Sequence, residues 1–244
     1  VMQASNLPFH YWFKAMHLLT TTKKSFSAKE MQRQLGHNRY EPIWAMMHKL
    51  RAVMGLRDND YTLTKSIELD EGFFETVDKD HDGDEKNKRG RGSKKQTTVL
   101  VMIESEENPK NINMHRPDKK AGFLKMKVVR NLKSETLNGK IEAYVEEGTE
   151  TVTDGYSSYS KITPKVKHKG QKVDKTNVNK VLPWVHKAIS NAKRLLLDVH
   201  HRIDNDFLEN YLNEFCYKFN RRYFKDKMME RLIIAGVSYR WIQF

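Results

Sequence analysis

The 244-residue chain is long enough for one large domain or a domain with a small appendage, and 38% hydrophobic and 10% aromatic residues suffice for a packed core rather than disorder. Forty-four Lys and Arg against 31 Asp and Glu give a formal charge of +13, the electrostatic footprint of a nucleic-acid partner that ribosomal and membrane-surface proteins share. A single cysteine, Cys216, excludes an internal disulfide framework or cysteine-based zinc site and fits a reducing cytoplasm, and no run of 18 apolar residues or charged-then-apolar leader points to a membrane.

Residues 8–20 read as an aromatic-rich buried helix. Ser27 suits an N-cap, and Glu30 three residues later completes a capping box for a helix over Ala28–Leu35, stopped by Gly36. Asn38 offers the next cap, for a helix from about Arg39 to Met54 with Ile43, Trp44, Met47 and Leu50 on one face. Helix, short glycine turn and longer basic helix is the pattern of a helix-turn-helix; an ordinary helical hairpin is the other reading. The net charge favours the first, making residues 1–60 a helical DNA-binding region with Arg39, Tyr40 and Lys49 as candidate contacts.

From Ser66 to Phe74 the period changes to an apolar–polar alternation, the signature of a strand. It places Asp70 mid-strand, on the opposite face from Leu69 and Phe73. Acidic residues are poor strand formers, so an Asp there asks for a reason. Residues 78–95 read as a loop. Asp78, Asp80, Asp82 and Gly83 imitate a calcium loop, but Arg89 stands where its bidentate Glu belongs, so calcium is rejected. Lys86–Lys95 then holds six basic residues in ten, and Arg89, Arg91, Lys94 and Lys95 are candidate phosphate contacts.

Thr97–Ile103 and Phe123–Val129 read as strands, and Ser134 caps a helix to about Tyr144, with Gly148 as a break. Thr149–Tyr156 is a short strand ending at Asp154-Gly155, either a plain turn or an acid at the carboxyl end of a strand, where open α/β sheets put their chemistry. Residues 160–180 read as basic and irregular. A helix then opens at Pro183, which suits the first turn. At about 100° per residue it puts His186, Ser190 and Lys193 on one face and Asn191 on another, with Trp184 and Lys187. Asp204 or Asn205 caps a further helix with an apolar stripe of Phe207, Leu208, Tyr211, Leu212, Phe215 and Phe219. Its basic end, with Arg221 and Arg222, is available to a phosphate backbone.

The helix-turn-helix over Ser27–Arg51, the Leu69-Asp70-Glu71 strand, the Arg89–Lys95 segment, Thr153-Asp-Gly-Tyr156 and Tyr211-Leu-Asn-Glu-Phe-Cys-Tyr-Lys-Phe-Asn-Arg-Arg222 occur in that order. Together they resemble bacterial insertion-sequence transposases of the ISXO-like type, in the DDE superfamily, over nearly the whole chain. The resemblance implies an α/β fold: an RNase H-like catalytic core with a mixed sheet over residues 61–244, preceded by the small helical region. It implies two catalytic aspartates on strands, Asp70 and Asp154, and a third ligand on a later helix, where the superfamily usually has Glu followed by a base. No Glu lies on that helix. His186 precedes Lys193 by seven residues, the separation of the usual pair, whereas Asn191 follows Asp154 after 36 residues (155–190), a common family spacing. Helical geometry favours His186 and spacing favours Asn191.

Phosphodiester cleavage at such a site needs two divalent ions, Mg²⁺ or Mn²⁺, about 4 Å apart. Asp70, Asp154 and His186 are the candidate ligands, with Lys193 neutralising phosphate charge. The expected protein is a bacterial, cytoplasmic transposase acting on double-stranded DNA, nucleoid-associated and homo-oligomeric when bound. The alternative is a catalytically inactive DNA-binding derivative. Members of the family usually carry an N-terminal zinc ribbon, which one cysteine cannot form; with Val1 opening the chain, a preceding segment is expected.

Overall fold

The computed structural model describes residues 1–3, 5–77, 95–108, 119–155, 159, 161–171, 181–200 and 202–239. The expectations for the Asp78–Gly83 run and for Arg89, Arg91 and Lys94 therefore lie outside the described residues. Two compact units emerge: Val1–Asp60 with Arg194–His201 and Glu209–Phe244, and Tyr61–Lys193 with Arg202–Leu208. The helices after residue 208, assigned from the sequence to the catalytic part, thus pack in the first unit.

That first unit is helical. Helix α1 (Phe9–Thr21), α2 (Ala28–Leu35) and α3 (Glu41–Asn59) are joined by α6 (Leu208–Asn220) and α7 (Lys227–Ser238). Ser27 caps α2 by accepting the Glu30 amide at 3.0 Å, while the Glu30 side chain bonds Arg33 and Gln34 instead of closing the box. Gly36 follows in the left-handed conformation that only glycine adopts without penalty, so α2 stops there. Helix α3 begins after Tyr40 rather than Asn38 and runs past the expected end at Met54. Gly55 is kept in it by packing: a Cβ there would lie 2.3 Å from Asn213 Nδ2 of α6. Trp12, Met16, Leu19, Met31, Met47, Leu50, Tyr217 and Leu232 fill the core. On α6 the buried residues include Leu212, Glu214, Cys216 and Tyr217, whereas Tyr211, Phe215 and Phe219 of the expected stripe are half-buried.

His48 of α3 is buried between the rings of Trp44 and Tyr211, at 4.2 and 5.3 Å. Burial first, then the charges of Arg51 and His200, push its pKa down to about 3 against the opposing pull of Glu214. The unfolded chain binds a proton near pH 6.5 that the native protein refuses. Stability is therefore lost as pH falls below about 6.5, by up to ~1.4 kcal/mol per pH unit until about pH 3. Urea unfolding at pH 7.5 and 5.0 measures this, and His48→Gln should flatten the difference. An equally steep dependence in the variant would assign it to other groups.

The second unit is a sheet between helices. Strands β1 (Ile67–Glu75), β2 (Gln96–Glu107), β3 (Lys119–Val128), β4 (Glu150–Thr153) and β5 (Lys167–Gly170) lie in the order β3-β2-β1-β4-β5. The first three pair antiparallel, and β4 and β5 run parallel to β1. Helix α4 (Ser134–Tyr144) covers one face, packing Leu137 and Ile141 against Ile67, Leu69, Leu100 and Met102. Ser134 is its first residue, not its cap. Helix α5 (Pro183–Val199) supplies the other face through its first three turns. β5 was not visible in the sequence, because Lys167-His-Lys-Gly170 is an exposed polar edge with no alternation.

Candidate active site

β1 is the central strand, buried on both faces over Ile67–Gly72. Its odd positions, Ile67 and Leu69, enter the core beneath α4. Its even positions face α5 in a ladder. Glu68 Oε2 accepts the amides of Trp184 and Val185 at 2.7 and 2.9 Å, satisfying two donors at the helix N-terminus. Asp70 Oδ2 stands 3.3 Å from His186 Nδ1. At Gly72 a Cβ would come within 3.4 Å of Ile189, and Lys193 Nζ lies 5.7 Å from the Phe74 ring. Each residue pair along β1 thus meets the next stretch of α5, and the helix runs in the strand's own direction.

Asp154 arrives from the neighbouring strand. β4 pairs with β1 through Ile67↔Thr151 and Glu68↔Val152. Extended two residues past its last pair, this register would set Asp154, just beyond β4, level with Asp70. Electrostatics agree. The charge of Asp154 acts on His186, on Glu71 and on Tyr159. Burial, then the charge of Asp70, push the Glu71 carboxyl up, and Asp154 adds to the shift. Burial, then Glu71 and Asp70, likewise raise the Tyr159 phenol. Burial lowers the His186 pKa, against the pull of Glu68 and Asp154, so the imidazole is neutral at pH 7.

Of the candidates on α5, His186 and Lys193 face β1, whereas Asn191 and Ser190 are exposed. Ser190 was expected beside His186; Ile189 occupies that place over Gly72. Glu68, Glu71 and Gly72 were not singled out in the sequence, although Glu68 and Asp70 repeat at the strand period, a signal that both reach the same neighbour. Among the DNA-contact candidates, Arg39 and Lys95 are exposed, Tyr40 is exposed at the start of α3, and Lys49 is half-buried. Arg221 does not reach outward. It is buried, paired with Asp58 at 2.6 Å, with its guanidinium over the Tyr217 ring, so its charge is neutralised inside the helical unit. Arg222 is half-buried against the Phe219 and Tyr223 rings.

Does this place suit divalent cations? Two carboxylates supply hard oxygens and a neutral imidazole a nitrogen. His186 Nε2 is buried with no hydrogen-bond partner among the described residues, and Glu71 is raised by burial first and then by the charges of Asp70 and Asp154. The donor set fits, although among the described residues no three His, Cys, Asp or Glu side chains form a ready-made metal cluster.

The second unit is thus a mixed α/β fold, a five-stranded sheet in the order 3-2-1-4-5 with Asp70 mid-β1 and Asp154 just past the end of β4. The family model of the ISXO2-like transposase domain matches residues 62–220, more than half of the chain, and the chain belongs to that family. No curated protein sequence matches it. Solved structures similar to it include the Mos1 transposase paired-end complex with left transposon end, at 10% identity and TM-score 0.34 over 97% of this chain and 82% of that one. The Mos1 mariner paired-end complex with Mn matches at 12% identity and TM-score 0.33, over 97% and 81%. The pre-cleavage Mos1 transpososome matches at 10% identity and TM-score 0.30, over 98% and 82%. Among the described residues no helix is long and apolar enough to cross a membrane.

Proposed function

We propose that this protein binds the ends of its own mobile element and catalyses metal-dependent DNA strand cleavage and transfer. The observation that carries the reading is the 3.3 Å approach of His186 to Asp70 in a family-matched core, with the charge of Asp154 acting on the same imidazole. Asp70 and Asp154 would hold Mg²⁺ or Mn²⁺ through their oxygens, and neutral His186 through its free ring nitrogen. When bound, the ions supply activation of water or a 3′-hydroxyl and steady the leaving oxygen. Lys193, two turns beyond His186, neutralises charge on the phosphate, and Glu68 fixes the helix that carries both. Arg39, Tyr40, Lys49, Lys95 and Arg222 contact the double-stranded DNA, on which copies of the chain assemble. The setting that suits this is the bacterial cytoplasm, at the nucleoid.

One fact favours a second reading, an inactive DNA-binding derivative: no acidic side chain on α5 joins Asp70. The two readings part in one assay. Purified protein is incubated with a duplex carrying its element ends, with Mg²⁺, Mn²⁺ or EDTA. Nicked and joined products that vanish with EDTA support the transposase; retention of the duplex without cleavage in either metal supports the derivative.

A further inference from the structure

The turn between α6 and α7, Asn220–Asp226, carries aromatic surface that folding leaves in water. Tyr223 is 79% exposed, the highest value among the large hydrophobic side chains described, and Phe224 beside it is also exposed. Burying such rings is worth more than exposing them, so adjacent exposed aromatics call for a partner. The surrounding charge is positive: Arg222, Lys225 and Lys227 against Asp226 alone. The Arg222 guanidinium lies over the Phe219 ring at 4.3 Å and the Tyr223 ring at 4.7 Å, a cation between two aromatic faces.

The turn is held rather than loose. Buried Arg221 pins its base to Asp58 and Tyr217. The Phe224 amide donates to Arg221 carbonyl at 2.8 Å, and Arg222 Nη1 to the Phe219 carbonyl at 2.8 Å. Lys225 sits at φ 50°, the one non-glycine residue with positive φ among those described. A lysine gains nothing from that conformation, which costs about 1 kcal/mol or more and turns the chain sharply just after the two rings.

We propose that this turn is a stacking platform for an unpaired DNA base. Tyr223 supplies the flat face, and Arg222, Lys225 and Lys227 take the flanking phosphates. A rigid ring beside cations binds single strands irrespective of sequence, because every base has a π-face, whereas a stacked duplex offers it none. The inference rests on the DNA reading above and deepens it: strand cleavage and joining produce frayed, single-stranded ends, and this surface would hold one.

The test uses fluorescence anisotropy of the full chain with a labelled 20-mer oligothymidylate and a labelled 20-base-pair duplex of unrelated sequence. Tyr223→Ala should weaken single-strand binding on the order of tenfold or more while changing duplex binding less than twofold. Tyr223→Phe should keep wild-type affinity for both, since the ring and not the hydroxyl stacks. Equal losses of Tyr223→Ala on both probes, loss by Tyr223→Phe, or no loss at all would each overturn the platform. A wild-type protein that binds the duplex but not the single strand also overturns it, leaving the transposase reading intact. If the wild type binds neither probe, the DNA reading itself falls. Matching thermal unfolding of the variants, expected for an exposed side chain, excludes a folding artefact.

Discussion

His186→Ala should reduce strand cleavage by about a thousandfold or more, because losing one metal-holding group removes several kcal/mol of charge stabilisation and each ~1.4 kcal/mol is a factor of ten. The prediction follows from the ladder between β1 and α5, which puts His186 Nδ1 3.3 Å from Asp70 while Asn191 is exposed. Asn191→Ala should therefore leave cleavage within a few-fold of normal. An imidazole in the ligand set suits Mn²⁺ better than Mg²⁺, which prefers hard oxygens. The wild type should accordingly work better in Mn²⁺, and His186→Glu should shift the preference towards Mg²⁺. Glu68→Ala adds a separate arm. Without its carboxylate the first turn of α5 loses two hydrogen bonds, and His186 loses its fixed approach to Asp70. Its activity should fall while duplex binding persists. If Asn191→Ala abolishes cleavage and His186→Ala does not, the third ligand is Asn191 and α5 must turn to engage DNA.

Much of the candidate site was read from local rules. Asp70 stood out as an acid in a strand, Asp154 as an acid before glycine at a strand end, and the α5 face followed from 3.6-residue periodicity. What the sequence could not supply was the neighbour of each face. The alternation of Ser66–Phe74 marked a strand but not its cover: Glu68 and Asp70 are buried because a helix beginning 115 positions after Glu68 (183 − 68) lies over them. Glu68 looks like a solvated residue until the amides of Trp184 and Val185 are seen to need it. Arg221 and Arg222 make the same point in reverse. As neighbours in a basic run they read alike, but one turns inward to Asp58 and the other lies against two aromatic rings. Buried polar pairs of long sequence separation leave no periodic trace, and here they decide which charges are available for chemistry.

Glu214→Ala should cost about 3–5 kcal/mol of stability, the usual penalty for stranding a buried charge and a large part of a typical 5–15 kcal/mol total. Glu214 of α6 and Arg51 of α3 are 2% and 1% exposed at the side chain and meet at 2.8 Å. Lys218 Nζ and Ser25 Oγ donate to the other carboxylate oxygen at 2.8 and 2.9 Å, and Arg51 also donates to the Phe26 carbonyl and stacks over Tyr211. Burial pushes the Glu214 pKa up, but Lys218 and Arg51 overcome it and bring it down to about 2. A folded pKa below the unfolded value near 4.5 means the stabilisation is complete above that pH and lost as pH falls towards 2. Removing Glu214 alone leaves the Arg51 guanidinium buried without its anion, whereas removing both charges does not. Urea unfolding at pH 7 should therefore find Arg51→Met with Glu214→Leu closer to the wild type than Glu214→Ala is, despite deleting more interactions. The single variant should also lack the wild type's stability loss between pH 4.5 and 2. A Glu214→Ala cost under 1 kcal/mol would mean that solvent reaches Arg51 and that the pairing of α3 with α6 rests on its apolar contacts alone.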